Sequence, residues 1–225
     1  MAVNHYLPTG LHHHSDVFVD VFPVGPLQCN CTIIGNRATK QAVVIDPGGS
    51  IDSILKKLNA EDLSVKQILH THAHFDHFLA SGNLHKKTGA QLCLHPEDKF
   101  LWKHLEQQCQ LFGVPYEPVP EPNHWLKPDE PIELLEKAGR CIFTPGHTPG
   151  SMSFLFADLQ LLIAGDTLFC RGIGRTDLWG GDFKTIQHSI TQSLFTLDES
   201  TWVITGHGRS TTIAQELRQN PILQK

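Results

Sequence analysis

Three imidazoles and a carboxylate fall within six consecutive positions, His72-Ala73-His74-Phe75-Asp76-His77. Neutral histidine and ionised aspartate are donors suited to Zn²⁺, Fe²⁺ or Mn²⁺, and a segment this dense in them reads as metal-binding. Side chains two apart on extended backbone point the same way, so His72 and His74 can grip one ion. Asp76 and His77 follow the point where the apolar run Val65-Lys66-Gln67-Ile68-Leu69 has ended and a helical pattern through Phe78, Leu79 and Leu84 begins. A helix starting there turns the second pair away from the first and toward a second ion.

Three later segments share a feature with this turn. Each sets a ligand-type residue directly after an apolar strand and beside glycine: Cys141-Ile142-Phe143-Thr144-Pro145-Gly146-His147, Leu162-Ile163-Ala164-Gly165-Asp166-Thr167 and Val203-Ile204-Thr205-Gly206-His207-Gly208. Strand-end loops are where α/β proteins gather side chains from distant parts of the chain. Taken singly, His147 or His207 reads as a hydrogen-bonded loop residue, and Asp166 as a turn former or helix cap. Four such segments in one chain make coincidence a poor account. His70, His85, His95, His104, His124 and His188 have no second feature and read as structural, while His12-His13-His14 lies in a stretch without periodicity and reads as a surface tract. The cysteines show no framework spacing and read as reduced thiols; Cys29-x-Cys31 lacks a partner motif and reads as strand packing.

The elements that must position these residues follow from the hydropathy pattern. Strands over 17–24, 31–34 and 41–46 form a meander, which Asp46-Pro47-Gly48-Gly49-Ser50 breaks before Ile51, Ile54, Leu55 and Leu58 repeat at helical spacing. A strand through Ile68-Leu69, the His-rich turn, a helix to about Lys87 and a strand over 91–94 follow in βαβ order. Phe100, Trp102, Leu105 and Cys109 space a further helix, and Pro115, Pro118, Pro120, Pro122 and Pro128 predict a surface loop over 113–131. Then come strands over 132–135, 141–143, 151–156 and 161–164, a helix over 182–197 and a strand over 202–205. Two β-rich halves of this kind predict an α/β fold with two sheets packed face to face and helices outside.

At 225 residues and 40% hydrophobic, the chain is long enough for one large domain over 17–225, preceded by an N-terminal arm over 1–16. The formal charge of −5 carries no basic stripe, which counts against nucleic acid and anionic membrane as partners. No apolar run approaches a membrane span and the N-terminus has no signal-peptide core, so a soluble, cytoplasmic protein is expected.

His72-x-His74-x-Asp76-His77, followed in order by His147, Asp166 and His207, resembles the metallo-β-lactamase superfamily, and the resemblance runs from about residue 17 to the C-terminus. It implies an αββα sandwich of two mixed sheets with a dinuclear metal site on one edge. His72, His74 and His147 would bind the first ion, Asp76, His77 and His207 the second, and Asp166 would bridge both. The bridging aspartate is similar to the thioesterase branch and unlike the antibiotic-hydrolysing members; His74 stands where flavodiiron oxidoreductases carry Glu, and there is no room for the insertion of RNA-cleaving members. Residues 144–151 and 165–169 resemble glyoxalase II (hydroxyacylglutathione hydrolase), particularly its short single-domain relatives without a C-terminal helical glutathione-binding domain.

The resemblance therefore implies a metal-dependent hydrolase that cleaves S-lactoylglutathione or a related hydroxyacyl thioester by a metal-bridging hydroxide, with zinc favoured over iron or manganese. Asp166 would orient the bridging oxygen, and Asp76 would both ligate and accept a proton. Arg171, Arg175 and Lys184 are candidates to meet an anionic substrate, although Arg175 and Asp177 can equally pair as a loop brace. Residues 171–177 are also similar to persulfide dioxygenases, whose single iron would take His72, His147 and Asp166. That activity and a non-catalytic metal-binding protein are the alternatives; Gly206-His207-Gly208 and the Asp76-His77 pair resemble the hydrolases.

Overall fold

Strands β1 (Val17–Val24), β2 (Cys29–Asn36), β3 (Gln41–Ile45), β4 (Ser64–Leu69), β5 (Gln91–Leu94) and β6 (His124–Trp125) form the first of two six-stranded sheets in the computed structural model, which describes residues 16–134 and 138–223. β1 to β3 pair antiparallel, and β3 to β6 run parallel. Parallel neighbours need crossovers. These are α1 (Ile51–Ala60), the pair α2 (Phe75–Phe78) and α3 (Ser81–Thr88), and the pair α4 (Lys99–Lys103) and α5 (Leu105–Phe112).

The remaining strands are β7 (Pro131–Ile132), β8 (Gly139–Phe143), β9 (Met152–Phe156), β10 (Leu161–Gly165), the hairpin of β11 (Leu168–Phe169) and β12 (Gly172–Ile173), β13 (Trp202–Thr205) and β14 (Thr211–Thr212). The second sheet has the order β14-β13-β10-β9-β8-β7, and only β10 and β13 pair parallel in it. Their crossover carries α6 (Phe183–Ser189) and a π-helical turn over Ile190–Leu194, while α7 (Ile213–Gln219) follows β14.

Alternate strand residues face opposite sides, and here both sides are apolar. β3 sends Val43 and Ile45 into the space between the sheets and Ala42 and Val44 outward; β10 divides Leu161 and Ile163 from Leu162 and Ala164 in the same way. Three stacked cores result. The central one joins the sheets through Ile34, Phe154 and Phe156, one outer core packs Ile54, Leu58, Leu84 and Leu105 from the helices, and the other packs Ile186, Ile190 and Ile213. The fold is the expected αββα sandwich. Truncating a central phenylalanine to alanine costs about 3–5 kcal/mol in such a setting.

Local boundaries differ from expectation where a specific bond intervenes. The helix expected to run to Lys87 is interrupted because Ala80 N donates to the Pro47 carbonyl, and the helix expected through Phe100 to Cys109 breaks at His104, whose ring bonds the Phe100 carbonyl. The loop expected over 113–131 contains β6. Asn123 exchanges two hydrogen bonds with the backbone of Leu92, and Val119 and Leu126 are buried, so the segment is stitched to the sheet despite its prolines. The strand expected over 132–135 is Pro131–Ile132, and Leu135 lies outside the described residues, as does the His12–His14 tract with nearly all of the arm. The helix expected over 182–197 begins after Asp182, whose side chain caps Thr185 N, and ends in the π-helical turn. No helix among the described residues is long and apolar enough to cross a membrane.

Candidate metal centre

The carboxyl ends of β4, β10 and β13 deliver residues 72–77, Asp166 and His207 to one edge of the sandwich, and the turn between β8 and β9 delivers His147. Donor atoms of His72, His74 and His147 lie within 4.8 Å of one another, as do those of Asp76, His77 and His207, and those of His72, His77 and Asp166. In the first set Nε2 of His147 is 3.0 Å from Nδ1 of His74. In the second, Oδ2 of Asp76 is 3.1 Å from His207 Nε2 and 3.7 Å from His77 Nε2. Asp166 stands between the sets. Its Oδ1 lies 3.5 Å from His77 Nε2 and 3.8 Å from His207 Nε2, while its Oδ2 lies 3.6 Å from His147 Nε2.

Three atoms of this cluster, His72 Nε2, His77 Nε2 and Asp166 Oδ1, are buried without a hydrogen-bond partner. An orphaned buried polar atom costs about 1–3 kcal/mol, and coordination of a cation removes that cost. Bonds of about 2.0–2.1 Å to a tetrahedral ion would separate ligand atoms by roughly 3.3 Å, close to the spacings here. The donor types, their convergence and their missing partners together fit a metal site.

Four of the five histidines are aimed by their other nitrogen. His147 Nδ1 donates to the Arg175 carbonyl at 2.7 Å, His207 Nδ1 to the Leu27 carbonyl at 3.0 Å, and His77 Nδ1 to Asp46 Oδ2 at 2.9 Å. Thr71 Oγ1 donates to the same Asp46 oxygen at 2.6 Å, which leaves it to accept from His72 Nδ1 at 3.0 Å. Asp46 thus orients one histidine of each set. It holds a left-handed backbone, φ 50, at the end of β3, a conformation that costs of order 1–3 kcal/mol unless its surroundings fix it.

A second support lies beneath the first set. Asp98 accepts from Ala73 N at 2.9 Å, Thr148 Oγ1 at 2.8 Å and Gly150 N at 2.7 Å, tying the His72–His74 segment to the His147 turn. Gln108 of α5 accepts from Phe75 N at 3.0 Å and donates to the carbonyls of Ala73 and Leu101 at 3.2 and 2.9 Å. Two glycines permit the approach of the strands: a Cβ on Gly206 would lie 1.9 Å from Asp166 Oδ1, and one on Gly165, at φ +51, would lie 2.4 Å from Thr71 Oγ1.

The electrostatics divide the sets. Burial, then the neighbouring imidazoles, holds His72 well below the usual histidine range and His74 down at about 3, and burial also lowers His147. These rings stay neutral with a lone pair available. Burial opposes charge on His207 too, but its hydrogen bond to Asp76 and the charge of Asp166 outweigh it and raise that histidine. Asp76 is desolvated, yet His77 and His207 drive it below the usual carboxylate range. A cation held by Asp76, His77 and His207 would supply there the positive charge that protonation otherwise gives.

Among the residues expected to meet substrate, Arg175 lines the cavity above the cluster, but its guanidinium is held by Asp177 in two bonds of 2.7 Å. The brace wins. Arg171 sits in a left-handed turn of the β11–β12 hairpin that sends its Nε to Gln219 Oε1 at 2.8 Å, and Lys184 is exposed on α6; neither lines the cavity. Both stand away from the cavity, because charge in the sequence does not say which way a hairpin or a helix face points.

Asp46, Thr71, Asp98 and Gln108 were not anticipated. Asp46 carries a signature close to that of Asp166, an aspartate at the end of an apolar strand with glycine two positions on, and could have been found by it. Cys29 packs in β2 as expected, but its thiol also lies 3.4 Å from His77 Nδ1, and burial pushes it up to about 12. The structural histidines behave as expected: His70 is bonded to Cys93 and Ser81 and stacks on Phe78, His85 bonds the Ala90 carbonyl, and His124 pairs with Glu130.

An open cavity leads from the cluster to solvent, with His74, Asp76, His147, Asp166 and His207 in its floor and Leu27, Phe112 and Trp179 at its mouth. Comparison with known proteins agrees with this arrangement. The chain is 37% identical over 207 residues to the hydroxyacylglutathione hydrolase GloC of Haemophilus influenzae, covering 91% of this chain and 97% of that protein. The crystal structure of the BLEG-1 B3 metallo-beta-lactamase matches with a TM-score of 0.85 at 35% identity, over 92% of this chain and 100% of the other. That of TTHA1623 in a di-iron-bound form matches with a TM-score of 0.81 at 31% identity, over 91% and 99%. A family model for the metallo-beta-lactamase superfamily matches residues 24–207, a span that takes in β2 to β13 and the whole His and Asp cluster, and the chain belongs to that superfamily.

Proposed function

We propose that this chain hydrolyses thioesters, S-lactoylglutathione or a related hydroxyacyl thioester, with two divalent ions, zinc before iron or manganese. The observation that carries the reading is Asp166, whose two oxygens face different histidines, Oδ1 toward His77 and Oδ2 toward His147. That is the disposition of a shared ligand. In this reading His72, His74 and His147 hold one ion and Asp76, His77 and His207 the other. The similarity to GloC supports the substrate class, and the di-iron form of TTHA1623 supports the metal count.

When bound, two such ions lower the pKa of water from about 15.7 toward 7 and polarise a carbonyl oxygen. The chain supplies the rest. His72, His74 and His147, kept neutral, offer lone pairs without competing protons, and Asp46 and the Arg175 carbonyl fix the rings of His77 and His147. Asp76, held ionised below the usual carboxylate range, accepts a proton from the attacking water. Water adds at the carbonyl carbon, the C–S bond breaks, and the electron pair leaves with sulfur as a thiolate. No protein nucleophile takes part: Cys29 is buried and remains a thiol.

A second reading, β-lactam hydrolysis, draws on the match to BLEG-1, and a third, oxidation of a persulfide at one iron, on the set His72, His147 and Asp166. Parallel assays separate them. Metal-loaded protein given S-lactoylglutathione, a chromogenic β-lactam, or glutathione persulfide under an oxygen electrode is expected to turn over the thioester alone. Oxygen uptake without thioester loss, or faster β-lactam cleavage, overturns the proposal.

A further inference from the structure

The mouth of the cavity is unlike its floor. Among the described residues the exposed large hydrophobic side chains are Leu27, Phe100, Leu111, Phe112, Trp179 and Phe183. Four of them, Leu27, Leu111, Phe112 and Trp179, line this one cavity. Single exposed apolar residues need no explanation, but a group gathered on a concave rim marks a ligand surface. These four come from separate segments, the β1–β2 turn, the end of α5 and the loop after β12, so no single amphipathic face accounts for them.

The rim is continuous with the metal cluster. The Leu27 carbonyl accepts from His207, and the Phe112 ring lies 4.9 Å from that of Phe75, the neighbour of Asp76. Across the opening, Trp179 packs edge-on to His104 at 6.0 Å. Charge complementarity for an anionic ligand is meagre by comparison. Arg175 is the one Lys or Arg among the described lining residues, and Asp177 already holds it in two bonds. A tripeptide thiol with two carboxylates finds one engaged guanidinium there, whereas an apolar arm finds a wall.

Resting on the thioester reading, we infer that the preferred substrate carries a bulky apolar arm, an aromatic or branched alkyl group, which seats against Phe112 and Trp179 beside the scissile carbonyl. The arm can belong to the acyl group or to the thiol, and turnover tells which. Binding is the first test, because it does not depend on catalysis. Calorimetry on metal-loaded protein uses two thioethers that cannot be hydrolysed, S-benzylglutathione and S-methylglutathione. The benzyl compound is expected to bind about tenfold tighter, as burial of one ring predicts. Phe112→Ala and Trp179→Ala should bring the two within about twofold, while Phe183→Ala, an exposed aromatic outside the cavity, keeps the wild-type ratio. Equal affinities, or no binding of either, overturn the inference.

Turnover then compares S-lactoylglutathione, S-mandeloylglutathione and the lactoyl thioester of benzyl mercaptan. One aromatic compound is expected to exceed lactoylglutathione in kcat/KM by about tenfold. Lactoylglutathione as the best of the three overturns the apolar arm and leaves the hydrolase reading intact. Tight benzyl binding with no thioester cleaved does the reverse.

Discussion

The two halves of the cluster are held in opposite ways. His72 and His147 are buried, and their segments are tied together from below by Asp98, while Gln108 anchors the first of them to α4 and α5. Asp76 and His77 are buried as well, but their partner His207 has a side chain 28% exposed. The first half keeps its imidazoles neutral through burial, and the second stabilises charge through pairing. A donor set can be preorganised by desolvation or by ion pairing, and the paired, more exposed half is the one that should surrender its ion first.

The comparison breaks most completely at the residue common to both halves. Asp166→Ala should lower thioester hydrolysis by about three orders of magnitude and weaken metal retention in both halves; near-normal kcat with unchanged metal content would show that the carboxylate joins nothing. His207→Ala sharpens the comparison. It should leave about one ion per chain and cut activity roughly a hundredfold, measured by elemental analysis and steady-state assay on the same sample. Loss of both ions would mean that the halves are not separable.

Asp46→Ala touches one histidine in each half, so metal affinity should fall about 10–100-fold for both ions alike, read by competition with a chromogenic chelator. A selective loss of one ion would contradict the relay through Thr71. The smallest effect concerns stability. Burial pushes Asp98 up to about 6 from its ordinary 3.8, despite three donated hydrogen bonds. The folded state then binds a proton more tightly than the unfolded chain, so this contribution is complete below about pH 4 and lost as pH rises through 6, up to about 3 kcal/mol in all. Denaturant unfolding across pH 4–7 should show wild type losing this increment and Asp98→Asn not; parallel curves would show that Asp98 ionises normally.

Much of this was legible before the fold was known, for reasons that differ by residue. His72, His74, Asp76 and His77 were visible by their density and His147, Asp166 and His207 by their strand-end positions beside glycine, and the sandwich because both faces of β3 and β10 are apolar. Asp98 and Gln108 left none: the ligand segment they hold lies 25 positions from Asp98 and 33 from Gln108, and a buried aspartate in a helical region looks like a surface one. The loop over 113–131 misled because Asn123 supplies strand-like bonds that its proline content hides. Arg171 and Lys184 fall outside the cavity because their direction is decided by a hairpin and a helix face, not by charge.

The central claim is that the halves hold separate ions joined by one carboxylate and that together they cleave a thioester. Its most direct test is metal content and S-lactoylglutathione hydrolysis measured on one preparation as metal is withdrawn stepwise by chelation. The account predicts about two ions per chain at the start, with activity lost as the first is removed and the chain still folded with the other bound. Full activity retained at one ion per chain would contradict it.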